Sequence, residues 1–361
     1  MRIVQVIDSL ETGGAERMAV NYANGLAARI EFSGLVATRA EGKLKMQVSP
    51  DVEYLFLDKK HVLDLGAVSR LRRYCLMHDV KVLHAHSTSY FIAILVKMAL
   101  FGRIRIVWHD HNGNSEFLDA RDAVPLNVAS FLFKGIIVVN NQLKDWALRV
   151  LHCPNILYIP NFTQQEQDET PASTLHGTAG KRILMLANLR EQKDHFTLIE
   201  AALLFRASHP DWTFHLVGKD FTDDYSRRVK AEIEAKGLQD AVYIYGSKTD
   251  TGHIIGQADI CVLSSKSEGL PVALLEYGVH AKPVVVTQVG EVPLIVSHGK
   301  NGLLAGKGDP AAFAAALRTL ADDPVAGLAM GEALRRTVLE GHSVNAALGK
   351  YLKWITETID G

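Results

Sequence analysis

The chain has 361 residues, 48% of them hydrophobic and 22% charged, which is enough for two domains of ordinary size, each with its own core, and excludes a disordered polymer. Its 39 basic and 40 acidic residues leave a formal net charge of −1, so nothing in the overall balance points to a nucleic-acid binder. Cys75, Cys153 and Cys261 are odd in number, far apart and outside any CxxC or Cys/His metal spacing, which implies a reducing, cytoplasmic setting.

The N-terminal run Met1–Asp8 is too short for a signal peptide and predicts a strand over Ile3–Ile7. Directly after it comes Leu10-Glu-Thr-Gly-Gly-Ala-Glu-Arg17, leading into a predicted helix over Ala15–Leu26. Gly13 and Gly14 permit close approach of a ligand to the backbone, and the helix would aim its positive end at it. A plain tight turn explains the same glycines. Further strands are predicted at Gly34–Thr38, Val80–His84, Ile104–Trp108, Ile136–Val139 and Ile156–Ile159, with helices at Val68–His78 and Tyr90–Leu100. The most apolar stretch, Phe91–Phe101, is about half the length of a membrane span and is interrupted by Lys97, so it reads as a buried helix. Lys59, Lys60, Arg70, Arg72 and Arg73 read as a solvated surface, with a weakly basic face toward an anionic membrane as the alternative.

Histidines cluster in this first half: His84 and His86 on one predicted strand, then His109 and His111 around Asp110 at the end of the next. A metal site is one reading, but His-x-His with a single acid is too little to expect one. A polar stretch without period, residues 163–180, reads as a linker between a first domain, 1–162, and a second, 181–343. In the second domain strands are predicted at Ile183–Leu186, Trp212–Val217, Val242–Tyr245, Ile260–Leu263 and Val284–Thr287, and helices at His195–Ser208, Tyr225–Lys236 and Pro271–His280. The tail, Val344–Ile359, predicts an amphipathic helix with Leu348, Tyr351, Leu352, Ile355 and Ile359 on its apolar side. Alternating strands and helices imply parallel sheets covered on both faces, hence two Rossmann-like α/β domains facing across a cleft.

Two segments of the second domain carry chemistry. Leu184–His195 leaves a strand with Asn188, Arg190 and Lys193 in sequence, and Arg190 and Lys193 are close enough to converge on one diphosphate. A solvated charged loop is the plainer reading of those two residues alone. Ser267-Glu-Gly-Leu-Pro-Val-Ala-Leu-Leu-Glu-Tyr-Gly278 follows an apolar strand, turns at Gly-Leu-Pro and starts a helix, with Glu268 and Glu276 eight positions apart. A strand, glycine turn and helix start hold phosphate through unpaired backbone N–H groups, and carboxylates beside them accept bonds from sugar hydroxyls.

Taken together, Gly13–Glu16, Asp79–Ser87, Tyr158–Phe162, Ala187–Lys193, Ser267–Gly278, Asn301–Leu304 and Gly308–Asp309 resemble the retaining glycosyltransferases of family four, which have the GT-B fold, over nearly the whole chain. The Glu-x7-Glu signature is the specific element. The resemblance implies that Glu276 accepts hydrogen bonds from the nucleotide ribose and that Glu268 lies by the transferred sugar. It also implies that backbone N–H groups around Gly269, Leu270 and Val272 hold the sugar or distal phosphate. Arg190 and Lys193 would neutralise the leaving diphosphate in place of a metal ion. Gly14 and Asn188 complete the donor-side residues, while Glu16 and Arg17, with the loop after His111, would shape the acceptor side. His111 is assigned to the donor sugar, with His109 as competitor and His84 and His86 next. The chain departs from the family at Ala187-Asn188-Leu189, where Gly-Arg-Leu is common, so Arg190 or Asn188 would substitute. It departs again at Gly290-Glu-Val-Pro-Leu294, which lacks a second glycine and a later glutamate.

The implied activity is metal-independent transfer of a sugar from a nucleotide-diphosphate sugar to a glycan or lipid-linked acceptor, with no cofactor. Nucleic acid is not an expected partner. The expected location is the cytoplasm, with peripheral contact at the inner face of a membrane as an extension. A UDP-sugar 2-epimerase of the same fold is the rival enzyme, and a non-enzymatic sugar-binding protein the rival outside enzymes. The 344–361 tail is expected to pack back on the first domain.

Overall fold

The computed structural model describes residues 1–112, 118, 121, 123–162 and 171–359, the side chain of residue 359 excepted. The chain divides into two compact units, Met1–Phe162 with Val344–Gly361, and Thr163–Ser343. The predicted loop after His111 and the first part of the predicted linker lie largely outside the described residues.

Unit 1 is built on seven parallel strands: β1 (Arg2–Ser9), β2 (Phe32–Ala40), β3 (Glu53–Phe56), β4 (Val82–His86), β5 (Arg105–Asp110), β6 (Gly135–Val138) and β7 (Ile156–Tyr158). Their order is β3-β2-β1-β4-β5-β6-β7. The inner strands are buried on both faces over most of their length, as in β4, where all five residues are buried. Among the described residues up to 162, the α-helices are α1 (Gly14–Ala27), α2 (Leu65–Met77), α3 (Tyr90–Ala99), α4 (Val124–Ser130) and α5 (Asn141–Val150). Asp64 and Asn140 cap α2 and α5 by accepting from Ala67 N and Leu143 N. Residues of α2, α3, α4 and α5 share one core, while α1 contributes to another, so α1 lies over the opposite face of the sheet. Helix α3 corrects the expectation for Phe91–Phe101. Ile92, Ala93 and Val96 are buried, but Phe91, Met98 and Phe101 are exposed, because only one stripe of this apolar helix meets the sheet.

Unit 2 holds six parallel strands: β8 (Arg182–Leu186), β9 (Thr213–Val217), β10 (Val242–Gly246), β11 (Ile260–Leu263), β12 (Val284–Thr287) and β13 (Leu303–Ala305), in the order β10-β9-β8-β11-β12-β13. Its helices are α6 (His195–Arg206), α7 (Asp224–Ala235), α8 (Thr251–Gln257), α9 (Val272–Val279), α10 (Val292–Ile295), α11 (Pro310–Asp322) and α12 (Pro324–Gly341). Separate cores on the two faces make both sheets the doubly wound architecture that strand–helix alternation predicts. After unit 2 the chain returns to unit 1 as α13 (Val344–Trp354), which runs into a single π turn, Ile355–Ile359. Leu348, Tyr351 and Ile355 are fully buried and Leu352 partly so, as the amphipathic pattern predicts. Gly25 lets α13 approach α1, since a Cβ there would stand 2.5 Å from Leu348 Cδ1.

Candidate active site

In each sheet the chain order reverses at one place, and loops leaving the carboxyl ends of the two flanking strands diverge there to form a crevice. In unit 2 the reversal falls between β8 and β11, so the loops 187–194 and 264–271 lie side by side. They are stitched together. Ser264 Oγ donates to the carbonyls of Lys193 (3.1 Å) and Asp194 (3.0 Å), and Lys266 N donates to Gln192 O at 2.8 Å. Asp194 takes a left-handed conformation (φ 50) and turns the chain into α6, while Thr197 Oγ1 donates to its Oδ2 at 2.7 Å.

This framework places Lys193 Nζ 2.5 Å from Glu268 Oε1. Ser265 Oγ donates to the same carboxylate oxygen at 2.6 Å, and Glu268 is only 4% exposed. A buried carboxylate needs such partners, because its charge is costly away from water. Gly290 closes the site from the β12 side. Its backbone is left-handed (φ 53), and a Cβ would lie 1.8 Å from Glu268 O, so only glycine lets the 288–291 loop cover this turn. Glu291 N then donates to Gly269 O at 3.1 Å. Leu270 is buried beneath the turn, Val272 opens α9, and Glu276 sits partly exposed on that helix. Tyr277, beside Glu276, turns inward to donate its hydroxyl to Val262 O while accepting from Leu186 N at 2.6 Å.

The loop after β9 adds residues that sequence reasoning missed. Lys219 N donates to Asn188 Oδ1 at 2.7 Å, and Leu189 N to Lys219 O at 2.9 Å. A Cβ on Gly218 would meet Ala187 O at 2.1 Å, so the glycine is what brings these loops together. Asn188 therefore serves as a strut between loops. Arg190 lies with its guanidinium 4.6 Å from the Phe221 ring centroid, and Lys219 approaches the same ring at 5.4 Å. The signal for Lys219 was a strand followed by Gly218-Lys219, the same pattern that drew attention to Gly13.

In unit 1 the reversal falls between β1 and β4. Gly13 is the N-cap of α1 and Gly14 its first residue, as the glycine pair predicts. Glu16 accepts from Ser9 Oγ at 3.4 Å, and Arg17 donates to Gln47 Oε1, so both have partners within their own unit. Asp8, at the end of β1, accepts from Thr38 Oγ1 (2.6 Å) and Thr88 Oγ1 (2.5 Å).

The four histidines meet on the α1 side of this sheet. His84 Nε2 and His109 Nδ1 are 3.1 Å apart, and His86 Nδ1 and His111 Nε2 are 2.9 Å apart. Tyr22 of α1 packs edge-on against His84 and His109, and Tyr351 of α13 stacks on His84. Burial holds His84, His86 and His109 well below the usual histidine range, and brings His111 down to about 3. All four are neutral near pH 7, so every ring offers one donor and one acceptor. His86 Nε2 donates to Gln5 Oε1 at 2.9 Å, which leaves Nδ1 to accept from His111 Nε2. His111 Nδ1 is then a lone pair, suited to accept from a hydroxyl. Asp110 is not part of this cluster. Its carboxylate takes a forked bond from Arg121 at 2.6 and 3.2 Å, so the acid considered for a metal site is already committed. Nitrogens of His84, His86 and His109 do lie within 4.8 Å of one another, all buried.

The donor-side residues Asn188, Arg190, Lys193, Glu268, Gly269, Leu270, Val272 and Glu276 thus belong to unit 2, and Gly14, Glu16, Arg17 and His111 to unit 1. Among the described residues no helix is long and apolar enough to cross a membrane.

Comparison with known proteins agrees with this layout. A family model described as Glycosyltransferase Family 4 matches residues 12–167, and one described as Glycosyl transferases group 1 matches residues 166–337. The amylovoran biosynthesis glycosyltransferase AmsK of Erwinia amylovora is 31% identical over 147 residues, 38% of this chain and 35% of that protein. The match thus spans about a third of that relative's length. The N-acetyl-alpha-D-glucosaminyl L-malate synthase of Bacillus anthracis is 27% identical over 300 residues, covering 80% of this chain and 77% of that one. Among solved structures, Anabaena Alr3699/HepE in complex with UDP and glucose superposes with a TM-score of 0.81 at 19% identity, over 99% of this chain and 100% of that one. That similarity establishes a shared GT-B fold.

Proposed function

The chain belongs to the family-four glycosyltransferases, and from that premise we propose that it is a retaining hexosyltransferase, moving a sugar from a nucleotide-diphosphate sugar to a hydroxyl of a glycan or lipid-linked acceptor. The observation that carries the proposal is the paired Lys193 and Glu268 at the β8/β11 reversal, beneath a glycine turn and the start of α9. A cation beside a glycine turn, the N-terminal end of α9 and a second carboxylate, Glu276, on that short helix make a diphosphate and ribose the ligand class that fits. Arg190 and Lys193 supply fixed positive charge to the departing diphosphate, so the proposal includes no metal ion and no cofactor. Glu276 binds the ribose hydroxyls. Glu268 orients Lys193 through Oε1 and faces the sugar. His111 accepts from a hydroxyl of the transferred sugar through Nδ1, Gly14 serves the donor, and Glu16 and Arg17 serve the acceptor.

In the reaction the C1–O bond to the diphosphate breaks with its electron pair on the leaving oxygen. The acceptor oxygen bonds to C1 on the same face, and its proton ends on the departing phosphate. The UDP and glucose held by the Anabaena protein support UDP-glucose as the first donor to test. Incubation with UDP-sugars alone separates the two enzyme readings. A transferase releases UDP slowly by hydrolysis and leaves the remaining donor unchanged. Appearance of a 2-epimer without acceptor would overturn the proposal.

A further inference from the structure

Helices α2, α3 and α4 cover one face of the unit 1 sheet, and each turns an apolar stripe inward to a common core. Their outer faces are expected to be polar. They are not. Leu65, Phe91, Val124 and Val128 are all exposed, and at one end of the α2–α3 pair three more bare side chains gather, Met77 at 69%, Met98 at 65% and Phe101 at 90%. The two helices form one surface here, since Arg72 Nε of α2 donates to Ala99 O at the end of α3 at 3.2 Å. Phe101 also stands in the left-handed region (φ 51), a conformation unfavourable for a bulky side chain, at a tip where it buries nothing within the chain.

Charge on this segment departs as sharply from the rest of the molecule. From Leu65 to Arg105 there are seven lysines and arginines against one acid, Asp79, whereas the whole chain carries 39 against 40. Lys81 Nζ already holds Asp79 at 2.5 Å. Exposed apolar side chains interleaved with arginines, with a single acid that is already ion-paired, match the boundary between acyl chains and anionic headgroups. A second copy of the chain fits poorly, because a two-fold contact would set this cationic face against itself.

We propose that the outer face of α2 and α3 docks on an anionic lipid surface, with Leu76, Met77, Met98 and Phe101 entering the headgroup boundary and Arg73 and Arg103 on lipid phosphates. This docking is independent of the donor chemistry proposed above, since it needs no nucleotide sugar. The test is sedimentation of the full chain with vesicles of phosphatidylcholine alone and of phosphatidylcholine mixed with phosphatidylglycerol. Wild type is expected to bind the anionic vesicles at least about tenfold more tightly, and less tightly as salt rises. Arg73→Glu/Arg103→Glu and Met98→Ser/Phe101→Ser, all surface positions, should each weaken that binding by about tenfold or more with an unchanged circular dichroism spectrum. Absence of wild-type binding to anionic vesicles, or undiminished binding by both double variants, overturns the proposal. So does a concentration-dependent dimer that Met98→Ser/Phe101→Ser dissolves while vesicles bind nothing, which would assign the face to a second copy.

Discussion

Glu268 carries two hydrogen bonds on one carboxylate oxygen, one from Ser265 and one from the Lys193 ammonium that is ion-paired with it. Replacing Lys193 by Met leaves that buried carboxylate short of a charged partner, which should cost about 1–3 kcal/mol of stability. Glu268→Gln in the same chain should restore part of the loss, giving a clear coupling in a double-mutant cycle read by chemical denaturation. Additive losses would show that the two side chains do not act as a pair. The histidine chain makes a second prediction at this scale. With Gln5 accepting from His86, nitrogen-15 NMR should find His111 neutral and protonated on Nε2 at pH 6, and His86→Phe should abolish that preference. An Nδ1-protonated His111 in the wild type would reverse the donor–acceptor order derived for it.

Among the elements, the loop over Glu268 is the most constrained. Gly290→Ala puts a methyl group against Glu268 O in a left-handed backbone, and neither backbone can yield through a rotamer change. Nucleotide affinity should fall by tenfold or more, while unit 2 keeps its circular dichroism spectrum; unaltered affinity would mean that the loop is not part of the site. Buried strands were legible in the sequence as short apolar runs, and several helices by their period, but α5, α11 and α12 were not assigned despite their length. β11 and β12 match their predicted bounds, and β8 and α6 begin within a residue of theirs. Elements with weaker periodicity were not. β3 is a half-exposed edge strand, β13 has three residues, and α4, α8 and α10 are single or double turns whose placement depends on what they cover. The Glu268 turn could be read from its residues, since Gly-Leu-Pro after an apolar strand is a local signal. Its partners could not. Gly290 reaches Glu268, and Ser264 ties the same loop to Lys193, through tertiary contacts; the Ser265 bond is local but depends on the turn's geometry, and the sheet order decides that Lys219 meets Asn188. Phe91–Phe101 misled for a related reason, as hydrophobicity alone does not say which side of a helix meets the sheet.

For the whole molecule, the buried histidines link stability to pH. His84, His86, His109 and His111 in unit 1, and His195 and His215 in unit 2, are all held neutral by burial, the last three at about 3. Each gains a proton only on unfolding once the pH drops below the free value of about 6.5, so the unfolded state binds more protons and stability falls with pH from there. For His111 the window runs from about 6.5 down to about 3. Each such histidine can remove up to about 1.4 kcal/mol per pH unit within its window. The melting temperature should therefore decline between pH 7 and pH 5, before most carboxylates titrate, and unit 1, with four of the six, should melt first. A flat profile across that range would show that these rings are solvated.

The central claim is that the β8/β11 reversal of unit 2 binds a nucleotide-diphosphate sugar, with Glu276 on its ribose. A thermal-shift titration with UDP-, GDP- and other nucleotide sugars tests it most directly, because a ligand at one hundred times its Kd stabilises the folded state by about 2.7 kcal/mol. One of these donors should raise the melting temperature of the wild type, and Glu276→Ala should lose most of that rise while melting normally without ligand. No shift with any donor, or an equal shift in Glu276→Ala, would contradict the account.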